Sequence, residues 1–280
     1  MADVEETLQE ALALGDEGNW EEMAKVLAGA LKDSPDDPYL LCWAGVAEQE
    51  VGNEGAAYDY FRRALEEEPA DPQLLAVIGG GLAQFDDPEA ERALRTAAVT
   101  APDIAMTRLQ YGAYLAREGM FEEALEHLRA AVGIDPEDPV LHGELGTALA
   151  LKGDLAGASG EMERTLELAP DDSWTRLLLG LIYIEQGDGE IGAETLIQAA
   201  DEREDDAEAQ ILAALAAAAQ GWADSAEDII AKATYSAEGS DRELLNEAEE
   251  RIAAGATEAL EMLREHMGPS VLHERLTQPL

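Results

Sequence analysis

Four histidines and one cysteine are the side chains of this 280-residue chain best suited to catalysis or metal binding, and their spacing supports neither. His127, His142, His266 and His273 form no His-x-x-x-His pair, and no Cys-x-x-Cys accompanies them, so the ligand geometry that a zinc site draws from one helix face or one tight turn is missing. Cys42 stands between Leu41 and Trp43, a setting for a small buried apolar residue rather than an activated thiolate. Gly79, Gly80 and Gly81 look like a phosphate loop, but no Lys-Ser or Lys-Thr follows them. The carboxylates invite calcium or paired-acid glycoside chemistry, yet no Asp-x-Asp-x-Asp-Gly loop is present. The expectation is a chain that is not an enzyme, with no cofactor and no metal.

What the sequence does repeat is a proline. Pro35, Pro69, Pro102, Pro136 and Pro170 follow one another at intervals of 34, 33, 34 and 34 residues. Gly45, Gly112 and Gly146 stand 24 residues before Pro69, Pro136 and Pro170; Ala57, Ala124 and Ala158 stand 12 before, and Phe61, Leu128 and Met162 eight before. Two antiparallel helices approach closely only where one presents a small side chain, so a small residue, a large apolar residue and a terminating proline spell a helix pair. Asp36, Asp37, Asp71, Asp138, Asp171 and Asp172 supply candidate N-terminal caps for the next helix. Gly18, Gly52, Gly119, Gly153, Gly187 and Gly221 fall where the turn inside each pair belongs. Of the three consecutive glycines, close packing accounts for Gly79, while Gly80 and Gly81 are expected to loosen their helix and to offer a local hinge.

This phrase resembles the tetratricopeptide repeat family, whose pattern puts Gly or Ala in the first helix, Ala-x-x-x-Phe in the second and Pro at the end. The resemblance implies an all-α fold, a right-handed superhelix (α-solenoid) of about seven helix pairs spanning residues 1–239. The pairs are placed at 4–37, 38–71, 72–104, 105–138, 139–172, 173–206 and 207–239, the third one residue short near Phe85 to Pro88. In the last two, Glu204 and the end of the seventh pair lack the proline. Residues 240–267 are expected to form a capping helix or helices, because an end repeat needs a polar outer face. Residues 268–280 form a tail carrying Val271, Leu272, Leu276 and Leu280, expected to be either unstructured or folded back beside Ile211 and Leu215.

Sixty-one acidic against 18 basic residues give a net charge of −43, with lysine only at Lys25, Lys32, Lys152 and Lys232. Such uniform acidity resembles proteins of salt-loving archaea, in which high ionic strength screens self-repulsion. It leaves no basic stripe for phosphates, so nucleic acid is not an expected partner. The first residues lack a secretory layout, and the apolar run Ile211 to Ala219 is too short to span a bilayer, so a cytoplasmic location without direct membrane insertion is expected.

In the resembled family, the first helix of each pair lines a concave wall. The resemblance therefore implies a peptide-binding groove lined by Tyr39, Cys42, Val46, Met106, Leu109, Arg117, Trp174, Leu177 and Leu181. The family's chaperone-binding members hold a partner's terminal carboxylate with Lys, Arg and Asn, a set missing here. An apolar wall suits a helical or extended apolar segment of a protein partner, with Tyr39 and Trp174 as anchors. The alternatives are a self-associating structural subunit, a homodimer through the C-terminal region, or a chaperone for a basic client protein.

Overall fold

Carboxylates start the helices. Asp37 accepts hydrogen bonds from the backbone N–H groups of Tyr39 and Leu40, Asp71 from that of Gln73, and Asp138 from that of Val140. In each case a proline (Pro38, Pro72, Pro139) fills the first helical position, where its missing N–H costs nothing. Asp172 and Asp206 cap without proline, accepting from Thr175 and Ala209. Asp36 and Asp171 are not the capping residues; their successors are. Six glycines end first helices in the left-handed region, with φ from 73° at Gly18 to 94° at Gly187. The third pair has no such glycine, and Asp86 takes the position with φ 52°.

A computed structural model describes residues 4–267 and residue 276. Every regular element among them is helical, and they fall into two units, Met1–Asp135 and Pro136–Leu280. The first holds α1 (Val4–Asp16), α2 (Trp20–Ala30), α3 (Pro38–Glu50), α4 (Glu54–Glu66), α5 (Pro72–Ala83), α6 (Ala90–Thr100), α7 (Ala105–Arg117) and α8 (Phe121–Ile134). Each odd-numbered helix packs on the even one after it, and each even helix up to α6 packs on the next odd one. The odd helices also touch in succession, α1 on α3, α3 on α5 and α5 on α7.

The pairs interlock through glycine. A methyl group added at Gly79 would stand 2.8 Å from Leu94, one at Gly112 2.8 Å from Leu128, and one at Gly146 3.0 Å from Met162. Helix α5 runs unbroken through the three glycines, and a side chain at Gly81 would collide with the Phe61 ring, so close packing accounts for Gly81 as well as Gly79. One at Gly80 would meet only the movable amide end of Gln110 at 2.5 Å.

The second unit holds α9 (Pro139–Lys152), α10 (Leu155–Leu168), α11 (Ser173–Gln186), α12 (Gly189–Glu202), α13 (Ala207–Ala219), α14 (Ala223–Ser236), α15 (Ser240–Ala254), α16 (Ala256–Glu261) and a π-helical turn at Met262–Met267. Its end is closed around α13, which packs against α12, α14, α15, α16 and the π turn. Ile211 and Leu215 are fully buried there. Arg264 of the π turn donates to the Ile184 carbonyl at 2.9 Å, tying this cap to the last turn of α11. No helix among the described residues is long and apolar enough to cross a membrane.

Candidate functional site

Helix rotation divides the expected groove residues. In the first unit Tyr39 and Met106 are exposed and Val46 and Arg117 half-buried, whereas Cys42 and Leu109 lie in the core. In the second unit Trp174 is half-buried, and Leu177 and Leu181 are enclosed. Cys42, Leu109, Leu177 and Leu181 are thus withdrawn from a partner, because their helix faces serve the packing of the unit itself. Burial also pushes the Cys42 thiol well above its ordinary value, which removes it as a nucleophile. Tyr39 is anchored, its hydroxyl donating to Asp71 at 2.8 Å, so that α3 is linked to the residue that caps α5. That hydrogen bond to a carboxylate, then desolvation, raises the Tyr39 pKa.

The second unit contains a cleft of about 570 Å³ between α9, α10 and α11. Its walls are Val140, Gly143 and Thr147 of α9, Met162 of α10, and Trp174 and Leu178 of α11. Two features open it. Helices α9 and α11 do not meet as α5 and α7 do, and Gly143 adds no side chain, the nearest atom to a methyl there being the Thr165 hydroxyl at 3.7 Å. Val140 is 49% exposed at the edge, a β-branched apolar residue held toward solvent. The Arg203 guanidinium lies 5.3 Å from the centre of the Trp174 ring and is itself fixed by an ion pair of 2.8 Å to Asp206. The carboxylates of Glu144 and Asp172 line the same cleft. So does Leu276, which is only 5% exposed. The other tail residues named above, Val271, Leu272 and Leu280, lie outside the described residues, as does His273.

Val140, Gly143 and Thr147, like Trp174, fall at first-helix positions that the family resemblance places on the inner wall, and all four line this cleft. The Asp-Pro cap at Asp138 and Pro139 fixed the start of α9, but not that its neighbour stands far enough away to leave these residues uncovered. Among the described residues no cluster of three His, Cys, Asp or Glu side chains could hold a metal ion. The cleft offers mainly apolar surface, with Glu144 and Asp172 among its lining residues.

Helix pairs stacked by small-for-large interlocking, with an apolar cleft between successive first helices, define a helical repeat protein. Tetratricopeptide repeat models match residues 8–72, 87–139 and 177–241, and another matches residues 115–178. The chain belongs to the tetratricopeptide repeat family. It is 28% identical over 159 residues to cellulose synthase operon protein C of Escherichia coli (strain K12), a match covering 53% of this chain and 14% of that protein. The chain thus spans a small part of the length of that relative. The structure of the Cut9-Hcn1 hetero-tetramer of APC/C superposes with a TM-score of 0.70 at 19% identity, over 88% of this chain and 49% of that one. The human IFIT1 dimer with PPP-AAAA gives a TM-score of 0.71 at 17% identity, over 99% and 73%. These likenesses establish the fold.

Proposed function

We propose that this chain is a non-enzymatic adaptor that binds an apolar helical or extended segment of a protein partner in the cleft between α9 and α11. The observation that carries this is the exposed Val140 edge of a 570 Å³ cleft whose walls include the Trp174 indole, Met162 and Leu178. An apolar segment laid there gains roughly 25 cal/mol per Å² of surface removed from water, without leaving a charge unpaired. Aromatic anchors carry a disproportionate share of such energy, and the Arg203 contact preorders the indole at no cost to the incoming segment. Tyr39, Val46, Met106 and Arg117 form a second candidate surface on the odd helices of the first unit. Nucleic acid lies outside this reading, since 61 acidic residues face 18 basic ones.

Capture of partners at molar salt tests the proposal, with Val140→Asp and Trp174→Ala as paired blocks. Val140→Asp places a carboxylate in the apolar seat; Trp174→Ala removes the indole wall. Proteins held by the wild type and lost by both variants carry the cleft assignment. Retention of every partner by both variants moves the binding surface elsewhere, and the Tyr39 and Met106 surface becomes the next to be blocked.

A further inference from the structure

Leu276 lines the cleft with Val140, Gly143 and Trp174 and is 5% exposed, so an apolar side chain from near the end of the sequence already covers part of the surface that the proposed partner would use. We infer that Leu276 is an intramolecular ligand of the α9/α11 cleft, and that the C-terminus and an external partner compete for it. The inference rests on the cleft being the partner site.

Two observations support Leu276 as the occupant. Only eight residues separate Leu276 from the end of the π turn at Met267, which Arg264 holds against the end of α11. A tether that short keeps the leucine at an effective concentration in the millimolar range, so a weak contact suffices for high occupancy. The other lining residues all belong to 139–178, so among the described residues Leu276 is the wall contributed from beyond α11. A competing partner is expected to present a leucine or similar apolar side chain to the same surface.

The test uses full-length chains and a fluorescein-labelled peptide of residues 268–280, read by anisotropy at molar KCl. Wild type is expected to bind the peptide weakly, because its own leucine fills the seat. Leu276→Asp is expected to bind it about tenfold more tightly or better, the factor that burying one leucine commands. Leu276→Ala is a milder change expected to move affinity the same way by less, and circular dichroism reports whether each chain keeps its helices. Adding Val140→Asp to Leu276→Asp is expected to abolish the gain. Equal binding by wild type and Leu276→Asp, lost on Val140→Asp, overturns self-occupancy while leaving the cleft as a binding site. Binding by neither chain overturns self-occupancy alone, since external partners test the cleft separately. Binding that Val140→Asp does not touch overturns both.

Discussion

The Phe61 ring lies so close to Gly45 that a methyl group on that glycine would stand 2.8 Å from it. The far edge of the same ring meets Gly81 of the next pair, so one aromatic locks α4 against both α3 and α5. Two glycines around one buried phenylalanine form a joint between consecutive repeats, and neither can grow without displacing the ring.

Gly81→Ala is expected to cost about 1–3 kcal/mol by overpacking, and Phe61→Ala about 3–5 kcal/mol through the cavity left behind. Guanidinium unfolding measures both. Combining Gly81→Ala with Phe61→Leu should recover much of the glycine penalty, because leucine lacks the ring edge that Gly81 accommodates. Strict additivity of the two changes would mean that they do not share this contact.

Asp87 holds the shortened turn of the third pair. Its side chain is 2% exposed and accepts from the Tyr58 hydroxyl at 2.9 Å, from Arg62 at 3.3 Å and from the Glu89 backbone N–H at 2.8 Å. Asp87→Ala leaves those donors without their acceptor and is expected to destabilise by about 1–3 kcal/mol. Asp87→Asn keeps the shape and one acceptor and should cost less than alanine. Equal losses for the two would place the effect in packing rather than in hydrogen bonding.

The pairing of helices was legible because it is written locally. Proline, turn glycine and capping aspartate each act within a few residues, and each recurs at one spacing. The donors that satisfy the proline carbonyls were legible too, but overlooked. Arg108, His142 and Arg176 each stand six residues after a repeat proline and bond to its carbonyl. Less visible was which side of a first helix stays open. Tyr39 and Cys42 lie three residues apart on α3, one exposed and the other fully buried, and the difference depends on where neighbouring helices fall. Val140 and Gly143 do fall at inner-wall positions of the repeat pattern, but that they border an open cleft depends on the spacing of α9 and α11, a tertiary distance that no residue pattern encodes. Leu276 lies at the α9/α11 cleft, a tertiary placement that its neighbours in sequence do not announce.

His127 gives the protein an acid-sensitive element. Burial lowers its pKa below the ordinary 6.5, assisted by the nearby charge of Arg108 and opposed by Glu123 and Glu126. Its Nδ1 is buried with no hydrogen-bond partner, and its ring stands edge-on to Tyr111 at 4.9 Å. A depressed pKa in the folded state means that the unfolded chain takes the proton first. Stability is therefore present above the unfolded pKa and is lost as pH falls from about 6.5 through the folded value. His127→Gln should flatten that part of the pH profile relative to wild type, in unfolding midpoints taken between about pH 7 and pH 5. Parallel profiles for the two chains would remove His127 from the acid response.

Net charge sets the last expectation. With a charge of −43 on 280 residues, folding concentrates carboxylates that the unfolded chain keeps apart. Raising KCl from ~0.1 M to ~1 M shortens the screening length from about 10 Å to about 3 Å, which removes most repulsion between non-adjacent acids. The same salt weakens exposed ion pairs such as Lys25 with Glu22, but pairs of that kind contribute too little to offset the gain. The melting temperature should thus rise with KCl and level off near ~1 M, once the screening length falls below the spacing of neighbouring charges. Sodium and potassium chloride at equal ionic strength should act alike. A rise that continues linearly in salt, and that sucrose reproduces, would instead mark solute exclusion strengthening apolar burial. A melting temperature indifferent to salt would mean that the acidic surface carries no folding penalty at all.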